Sequence, residues 1–293
     1  MEESKMKFAV NGGHYLVGIL TKPTTNKLNT NQKKVIILVH GGMANKNSFY
    51  HKHLAKCLSI ELGYCTFRYD LLAHGESVPI FKERGSKEQY RNMMSGFLKN
   101  LDDLKTACEY LQGTHGLQIA YVFGHSAGGQ LAHMLAVRHG ERFRFEGVAG
   151  INMRFDLEYW RKTYTSKNGD WVLNFKNRGK AVCHTVKRHD VDAYADVPMK
   201  EVSGIECEVL NVYGILGEQT NQANYDTGAK MLTDGVVPFT DVESTANLIP
   251  HHTLKFMDNV GHYYREDGSH EKLWVVIRDW MKKLSGKRGR ARL

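Results

Sequence analysis

Ile119-Ala120-Tyr121-Val122-Phe123-Gly124-His125-Ser126-Ala127-Gly128-Gly129 is the stretch from which the rest of the chain can be read. Its first five residues are uninterruptedly apolar, as in a buried strand, and from Gln130 to His139 the residues Leu131, Met134 and Leu135 recur at helical spacing. Gly140 then supplies a helix stop. A strand, a tight turn and a helix therefore meet at Ser126. In that context Gly-x-Ser-x-Gly has chemical content, because a sharp strand-to-helix turn lifts the serine hydroxyl clear of the sheet. The turn leaves no room for side chains at its flanks, which accounts for Gly124 and Gly128.

Working outward, Lys7 to Leu20 reads as a hairpin around Asn11-Gly12-Gly13, followed by a polar linker from Thr24 to Lys34. Val35-Ile36-Ile37-Leu38-Val39 is a continuous apolar run, expected of a strand covered on both faces, and it empties into His40-Gly41-Gly42. Leu54, Cys57, Leu58 and Leu62 mark a helix ending at Gly63, Tyr64 to Tyr69 a strand leading to Asp70, and Leu101, Leu104, Cys108 and Leu111 a helix ending at Gly113. Beyond the central helix come strands at Phe145 to Ile151, Val209 to Gly214 and Thr253 to Met257, and a helix near Thr240 to Ile249. A last helix carries Leu273, Ile277, Trp280, Met281 and Leu284. This alternation predicts an α/β architecture, a mostly parallel, doubly wound sheet.

Between Asn152 and Glu206 the alternation gives way to an aromatic, charged stretch with Tyr159, Trp160, Tyr164, Trp171 and Phe175. Residues 152–206 are expected to form a cap inserted between the sixth and seventh strands, over the carboxyl ends where open α/β sheets bind ligands. The expected organisation is one domain over residues 1–286, cap included, and a flexible basic tail over 287–293.

The chain has 293 residues, 42% of them hydrophobic, enough for one large core. No stretch approaches a membrane span, and the first residues lack the apolar centre of a secretory signal. Its five cysteines are scattered without a Cys-x-x-Cys pair, which argues against a disulfide framework and structural zinc. The formal charge of +9 owes much to Lys287, Arg288, Arg290 and Arg292, and the other basic residues form no stripe interleaved with aromatics. Nucleic acid is therefore not an expected partner.

A serine hydroxyl is a weak nucleophile near neutral pH and needs a base to take its proton and an acid to orient that base. On a sheet of this type the acid and the base follow the serine in that order. His262, in Asp258-Asn259-Val260-Gly261-His262, follows the last strand and is the candidate base among fifteen histidines. For the acid, Asp234 in Asp234-Gly235-Val236-Val237-Pro238 is preferred, with Glu218 and Asp241 as alternatives. Negative charge on a tetrahedral intermediate needs preorganised donors, for which the backbone N–H groups of Ala127 and Gly42 are the candidates. His51 and His53 face opposite ways on a helix and no glycine-rich phosphate loop is present, so neither a metal nor a cofactor is expected.

Taken together, His40-Gly41-Gly42, Arg68-Tyr69-Asp70 with His74-Gly75-Glu76-Ser77, Gly124 to Gly128, Asp234 to Pro238 and Gly261-His262 resemble the α/β-hydrolase superfamily. Within it the chain looks most like the serine aminopeptidase-like branch, with its monoacylglycerol lipases and feruloyl or cinnamoyl esterases. The resemblance spans residues 8 to 284 and implies a cofactor-independent serine hydrolase with a small-molecule ester substrate. Gly214-Ile215-Leu216-Gly217 departs from the pattern where an Asp usually follows the strand, so an insertion between Gly214 and Asp234 is expected to loop out. Alternative readings are a thioesterase or acyltransferase with the same triad, and a non-catalytic binding protein on the same scaffold. The final Ala291-Arg292-Leu293 is a variant of the small-basic-leucine peroxisomal address, so a peroxisomal import receptor is an expected partner; the alternative is a cytoplasmic protein with a basic tail.

Overall fold

The computed structural model describes residues 1–24, 30–42, 44–77, 96–155, 168–169, 171–177, 180–186, 199–216, 218–219, 231–232, 234, 237, 242 and 246–290. In chain order the elements are β1 (Glu2–Val10), β2 (His14–Lys22), β3 (Lys34–Val39), α1 (His51–Glu61), β4 (Cys65–Tyr69), α2 (Phe97–His115), β5 (Gln118–His125), α3 (Ala127–Phe143) and β6 (Gly147–Ile151). Then follow β7 (Trp171–Asn177), β8 (Lys180–Val186), β9 (Glu208–Ile215), β10 (Glu218–Gln219), β11 (Met231–Leu232), β12 (His252–Asp258) and α4 (Ser269–Arg290).

Eight strands form one sheet in the order β1-β2-β4-β3-β5-β6-β9-β12. The β1–β2 hairpin joins it antiparallel through β2 and β4, and every pairing from β4 to β12 is parallel. The loops after β3, β4, β5, β6, β9 and β12 therefore all open on one edge of the sheet. The strand order reverses beside β3, the kind of switch point at which such sheets bind ligands.

Both faces of the sheet are covered, and the apolar run of β3 shows how. Val35, Ile37 and Val39 join a core built with Phe97, Leu101 and Leu104 of α2 and Leu131 and Leu135 of α3. Ile36 and Leu38, pointing the other way, join Leu54 and Leu58 of α1 and Leu273, Trp274, Ile277 and Trp280 of α4. Full burial of each such side chain is worth about 1.5–3 kcal/mol, so an unbroken apolar strand is stable only with helices on both sides.

Helices α2, α3 and α4 end later than their glycines suggest, whereas α1 stops at Glu61, before Gly63 at φ 70°. Helix α2 runs past Gly113 to His115, because it is Gly116, at φ 61°, that turns left-handed, with its N–H donating to the Gln112 carbonyl and the next N–H, of Leu117, to that of Leu111. Helix α3 passes Gly140 and stops at Phe143, where Arg144 takes the left-handed conformation. Helix α4 continues through Gly286 and Gly289 to Arg290, where a flexible tail from 287 was expected. Lys287 pairs with Glu208 at 3.0 Å, and basic residues at a helix C-terminus are favoured by the helix dipole.

In the 152–206 insertion, β7 and β8 form a separate antiparallel ribbon in the register Trp171↔Val186 to Asn177↔Lys180. A short 3-10 helix, Met199–Gly204, precedes β9 and lies by the C-terminal end of α3, where Glu201 faces Arg138. This last part of the expected 152–206 cap is therefore at the edge of the sheet away from the carboxyl ends of the strands. Tyr159, Trp160, Tyr164, Asp241 and Ala291-Arg292-Leu293 lie outside the described residues, as does most of the expected Thr240 to Ile249 helix. No helix among the described residues is long and apolar enough to cross a membrane.

Candidate active site

Strand β5 ends at His125 and α3 begins at Ala127, so Ser126 carries the whole change of direction, at φ 52° and ψ −120°. A non-glycine residue with positive φ is strained and persists only where its surroundings over-determine it. Here they do. A Cβ on Gly124 would lie 2.0 Å from the carbonyl oxygen of Gly128, and one on Gly128 2.4 Å from that of Val39. The Ser126 N–H donates to the Ile151 carbonyl of neighbouring β6 at 2.9 Å, and the Ser126 carbonyl accepts from the Gly129 N–H at 2.9 Å. Strand ends and helix start thus clamp the serine backbone from both sides.

Two backbone donors flank this turn. Ala127 is the first residue of α3, where an N–H has no acceptor within the helix. Gly42 lies in the turn after β3, and a Cβ on the preceding Gly41 would come 3.0 Å from Cβ of Ser126, so this loop abuts the serine. His40 orients the loop. Its Nε2 accepts from the Leu71 N–H at 2.9 Å, so Nδ1 holds the proton and donates to the Gly41 carbonyl at 2.7 Å. The Gly42 N–H belongs to the same trans peptide as that carbonyl and points the opposite way, away from His40. Burial, then the neighbouring His74, keeps His40 neutral by pushing its pKa well below the ordinary imidazole value.

Lys46 anchors the far end of this loop. Its backbone N–H donates to Asp70 Oδ1 at 2.7 Å, and its ammonium reaches Asp70 Oδ2 at 2.5 Å and Glu76 Oε2 at 2.6 Å. Burial opposes the charge on Lys46, but the two carboxylates outweigh it and raise its pKa. Hydrogen bonds from Lys46 and then Lys5 hold Glu76 at about 2. Removing one partner would strand a buried charge, the costly way to break such a cluster.

His262 follows β12, and every polar group it has except Nε2 is engaged. Its N–H donates to the Asp234 carbonyl at 2.7 Å, Nδ1 lies 2.7 Å from Asp234 Oδ2, and its carbonyl lies 2.8 Å from His125 Nε2. A carboxylate only accepts, so Nδ1 carries the proton and Nε2 is left as a base. Asp234 is fully buried, and its other oxygen accepts from the Val237 N–H at 2.7 Å. Tyr213 of β9 donates to the Val237 carbonyl, tying this turn to the sheet.

Of the sequence candidates, the structure brings Asp234 and His262 into direct contact, and the residue before Ser126, His125, is bonded to the His262 carbonyl. No hydrogen bond joins the Ser126 hydroxyl to His262 in this state, and such bonds commonly tighten only when substrate binds. Glu218 lies in β10, on the two-stranded ribbon with β11 that carries the chain toward Asp234. The expected insertion between Gly214 and Asp234 is thus seen in part as this ribbon. Among the described residues no group of three or more His, Cys, Asp or Glu side chains forms a metal cage.

Several site residues escaped sequence reasoning. Asn152, at φ 47°, accepts from the Gly214 N–H at 2.7 Å and donates to the Gly261 carbonyl at 3.3 Å, linking the ends of β6 and β9 to the His262 loop. Phe49 and Tyr263 lean on the histidines, with Phe49 5.1 Å from the His125 ring and Tyr263 5.1 Å from that of His262. A positive φ cannot be read from Asn152 alone, and the other contacts span distant segments.

A family model described as the alpha/beta hydrolase fold matches residues 34–177. Among curated proteins, YDL057W of Saccharomyces cerevisiae is 23% identical over 278 residues, 86% of this chain and 75% of the relative. Among solved structures, Est1E from Butyrivibrio proteoclasticus, with ferulic acid bound, is 16% identical with a TM-score of 0.69, covering 96% of this chain and 99% of that one. An esterase domain from Rhodothermus marinus is 18% identical with a TM-score of 0.64, covering 97% and 99% of the two chains. Dienelactone hydrolase from Anabaena variabilis is 16% identical with a TM-score of 0.58, covering 96% and 97%.

Proposed function

We propose that this chain, which belongs to the α/β-hydrolase superfamily, is a serine hydrolase that cleaves carboxylic esters through an acyl-enzyme. The observation that carries the reading is the buried contact between Asp234 and His262, held at 2.7 Å beside a serine on a strained strand-to-helix turn. As Ser126 Oγ bonds to the acyl carbon, its proton passes to Nε2 of His262. The N–H groups of Ala127 and Gly42 take up the charge that develops on the carbonyl oxygen. Collapse breaks the bond to the leaving alcohol, which departs with the proton from His262. Water then attacks the acyl carbon, giving its proton to His262, and Ser126 Oγ is expelled and recovers that proton. Asp234 keeps Nδ1 protonated and stabilises the imidazolium that forms in each half. The part of the 152–206 insertion before Met199 is assigned to the cap that shapes the acyl pocket, since Glu201 and Glu206 lie at the far end of α3.

The same residues serve thioester cleavage or acyl transfer, so substrate class is the decisive test. Purified full-length chain is offered short and aromatic oxygen esters, acyl-CoA thioesters, and esters with an added alcohol acceptor. The reading expects hydrolysis of oxygen esters that disappears in Ser126→Ala. Faster thioester turnover, or transfer to the alcohol in preference to water, would replace it.

A further inference from the structure

We infer that His125 is a positioning residue for the general base, acting through a hydrogen bond from its Nε2–H to the main-chain carbonyl of His262. The inference rests on the serine-hydrolase reading and adds a residue to it. His125 ends β5, one residue before the nucleophile, and is fully buried. A carbonyl oxygen only accepts, so the 2.8 Å contact places the ring proton on Nε2. Nδ1 is then a bare acceptor, buried and without a partner among the described residues. A methionine or phenylalanine would fill the same space without desolvating a ring nitrogen, so what histidine adds here is its donor.

The place of that donor gives it a role. Two of the three bonds that hold His262 come from Asp234, on its own side of the site. The third comes from the residue joined to Ser126, and among the described residues it is the hydrogen bond that ties the base to the turn that carries the nucleophile. The groups facing His125 from other elements are Gly41, Phe49, Tyr50, His262 and Tyr264, with the rings of Phe49 at 5.1 Å, Tyr50 at 5.9 Å, His262 at 4.8 Å and Tyr264 at 6.5 Å. Burial first, and then the nearby His262, His51 and His40, keep the ring neutral. The donor is therefore retained while His262 gains and loses its proton.

The test measures the inactivation rate and the binding constant of a fluorophosphonate on the full-length parent, His125→Gln and His125→Met. The glutamine amide places a donor near the position of Nε2, and methionine fills the space without one. His125→Met is expected to inactivate roughly 100-fold more slowly with binding within about twofold of the parent, the scale of effect that a misplacement near 1 Å brings. His125→Gln should stay within about fivefold of the parent, and the two variants should melt within a few degrees of each other. Parental labelling of His125→Met, or an equal loss in His125→Gln, overturns the inference and leaves the hydrolase reading standing; no labelling of the parent defeats that reading instead. Nitrogen-15 NMR of the parent histidines tests the bond itself, even if His125→Met does not fold. A neutral, Nε2-protonated ring that disappears in His125→Gln is expected, and an Nδ1-protonated ring contradicts the inference.

Discussion

Helix α3 begins in a crowded part of the molecule and ends in an open one. At its start, Cβ atoms on Gly124, Gly128 and Gly129 would meet their nearest neighbours at 2.0, 2.4 and 2.6 Å. The imidazoles there, His40 and His125, are buried and kept neutral. Seventeen residues later, about 25 Å along the axis, the helix ends beside a cavity of about 920 Å³ lined by Arg138, His139, Arg142, Arg144, Glu141 and Glu206. A Cβ on Gly140 would touch nothing there within 4 Å. Charges at that end pair at the surface, Arg142 with Glu109 at 2.7 Å and Arg138 with Glu201 at 3.5 Å. One end fixes its groups by packing and hydrogen bonds from three strands, and the other leaves them to water. Chemistry that needs a strained serine belongs at the first.

Adding one methyl group at each end sharpens this contrast most. Gly124→Ala drives a Cβ into the backbone of α3 and should cost about 4 kcal/mol or more, read by urea unfolding, with loss of ester turnover. A cost under about 1 kcal/mol would show that the turn is not crowded. Next in size is the response to acid. Burial holds His51 and His133 at about 4, below the ordinary imidazole value. Between pH 6.5 and 4 the unfolded chain therefore binds more protons than the native one, and stability falls as pH falls through that window. Each of these histidines should cost about 1.4 kcal/mol per pH unit, reaching about 3 kcal/mol near pH 4, while stability stays level above pH 7. A urea midpoint unchanged down to pH 5 would contradict their burial as neutral rings.

At the open end the effects should be small. Gly140→Ala removes a helix-interior glycine without a clash and should add up to about 1 kcal/mol of stability. Arg142→Ala breaks an exposed ion pair and should cost under about 1 kcal/mol, less in high salt. A loss of several kcal/mol from either would mean that this end is as constrained as the other.

Much of the crowded end was legible because its signals are local. The apolar runs of β3 and β5 announce strands buried on both faces, and Gly124 and Gly128 around Ser126 announce the turn. What could not be read depends on distant partners. His125 looks like any other member of a buried strand until the carbonyl 137 residues away is found against it. Lys46 drew no reading from the sequence, because its carboxylate partner lies 24 residues on, in another loop. Asp234 was preferred over Glu218 and Asp241 on its spacing alone, because the chain between β9 and Asp234 carries an insertion, and its contact with His262 is what the sequence could not show. The helix stops at Gly113 and Gly140 were misplaced because a glycine ends a helix only where the backbone turns left-handed, which Gly116 does.

Whether Ser126, His262 and Asp234 work as one unit is read directly by intact-mass analysis after exposure to a fluorophosphonate. The parent should gain one adduct, Ser126→Ala none, and Asp234→Asn should label far more slowly, since losing the orienting acid in a comparable triad costs roughly 10⁴ in kcat. A folded parent that takes no adduct would contradict a working triad and favour a non-catalytic binding protein on this scaffold. Parental labelling of Asp234→Asn would contradict the role of the carboxylate that the structure places on His262.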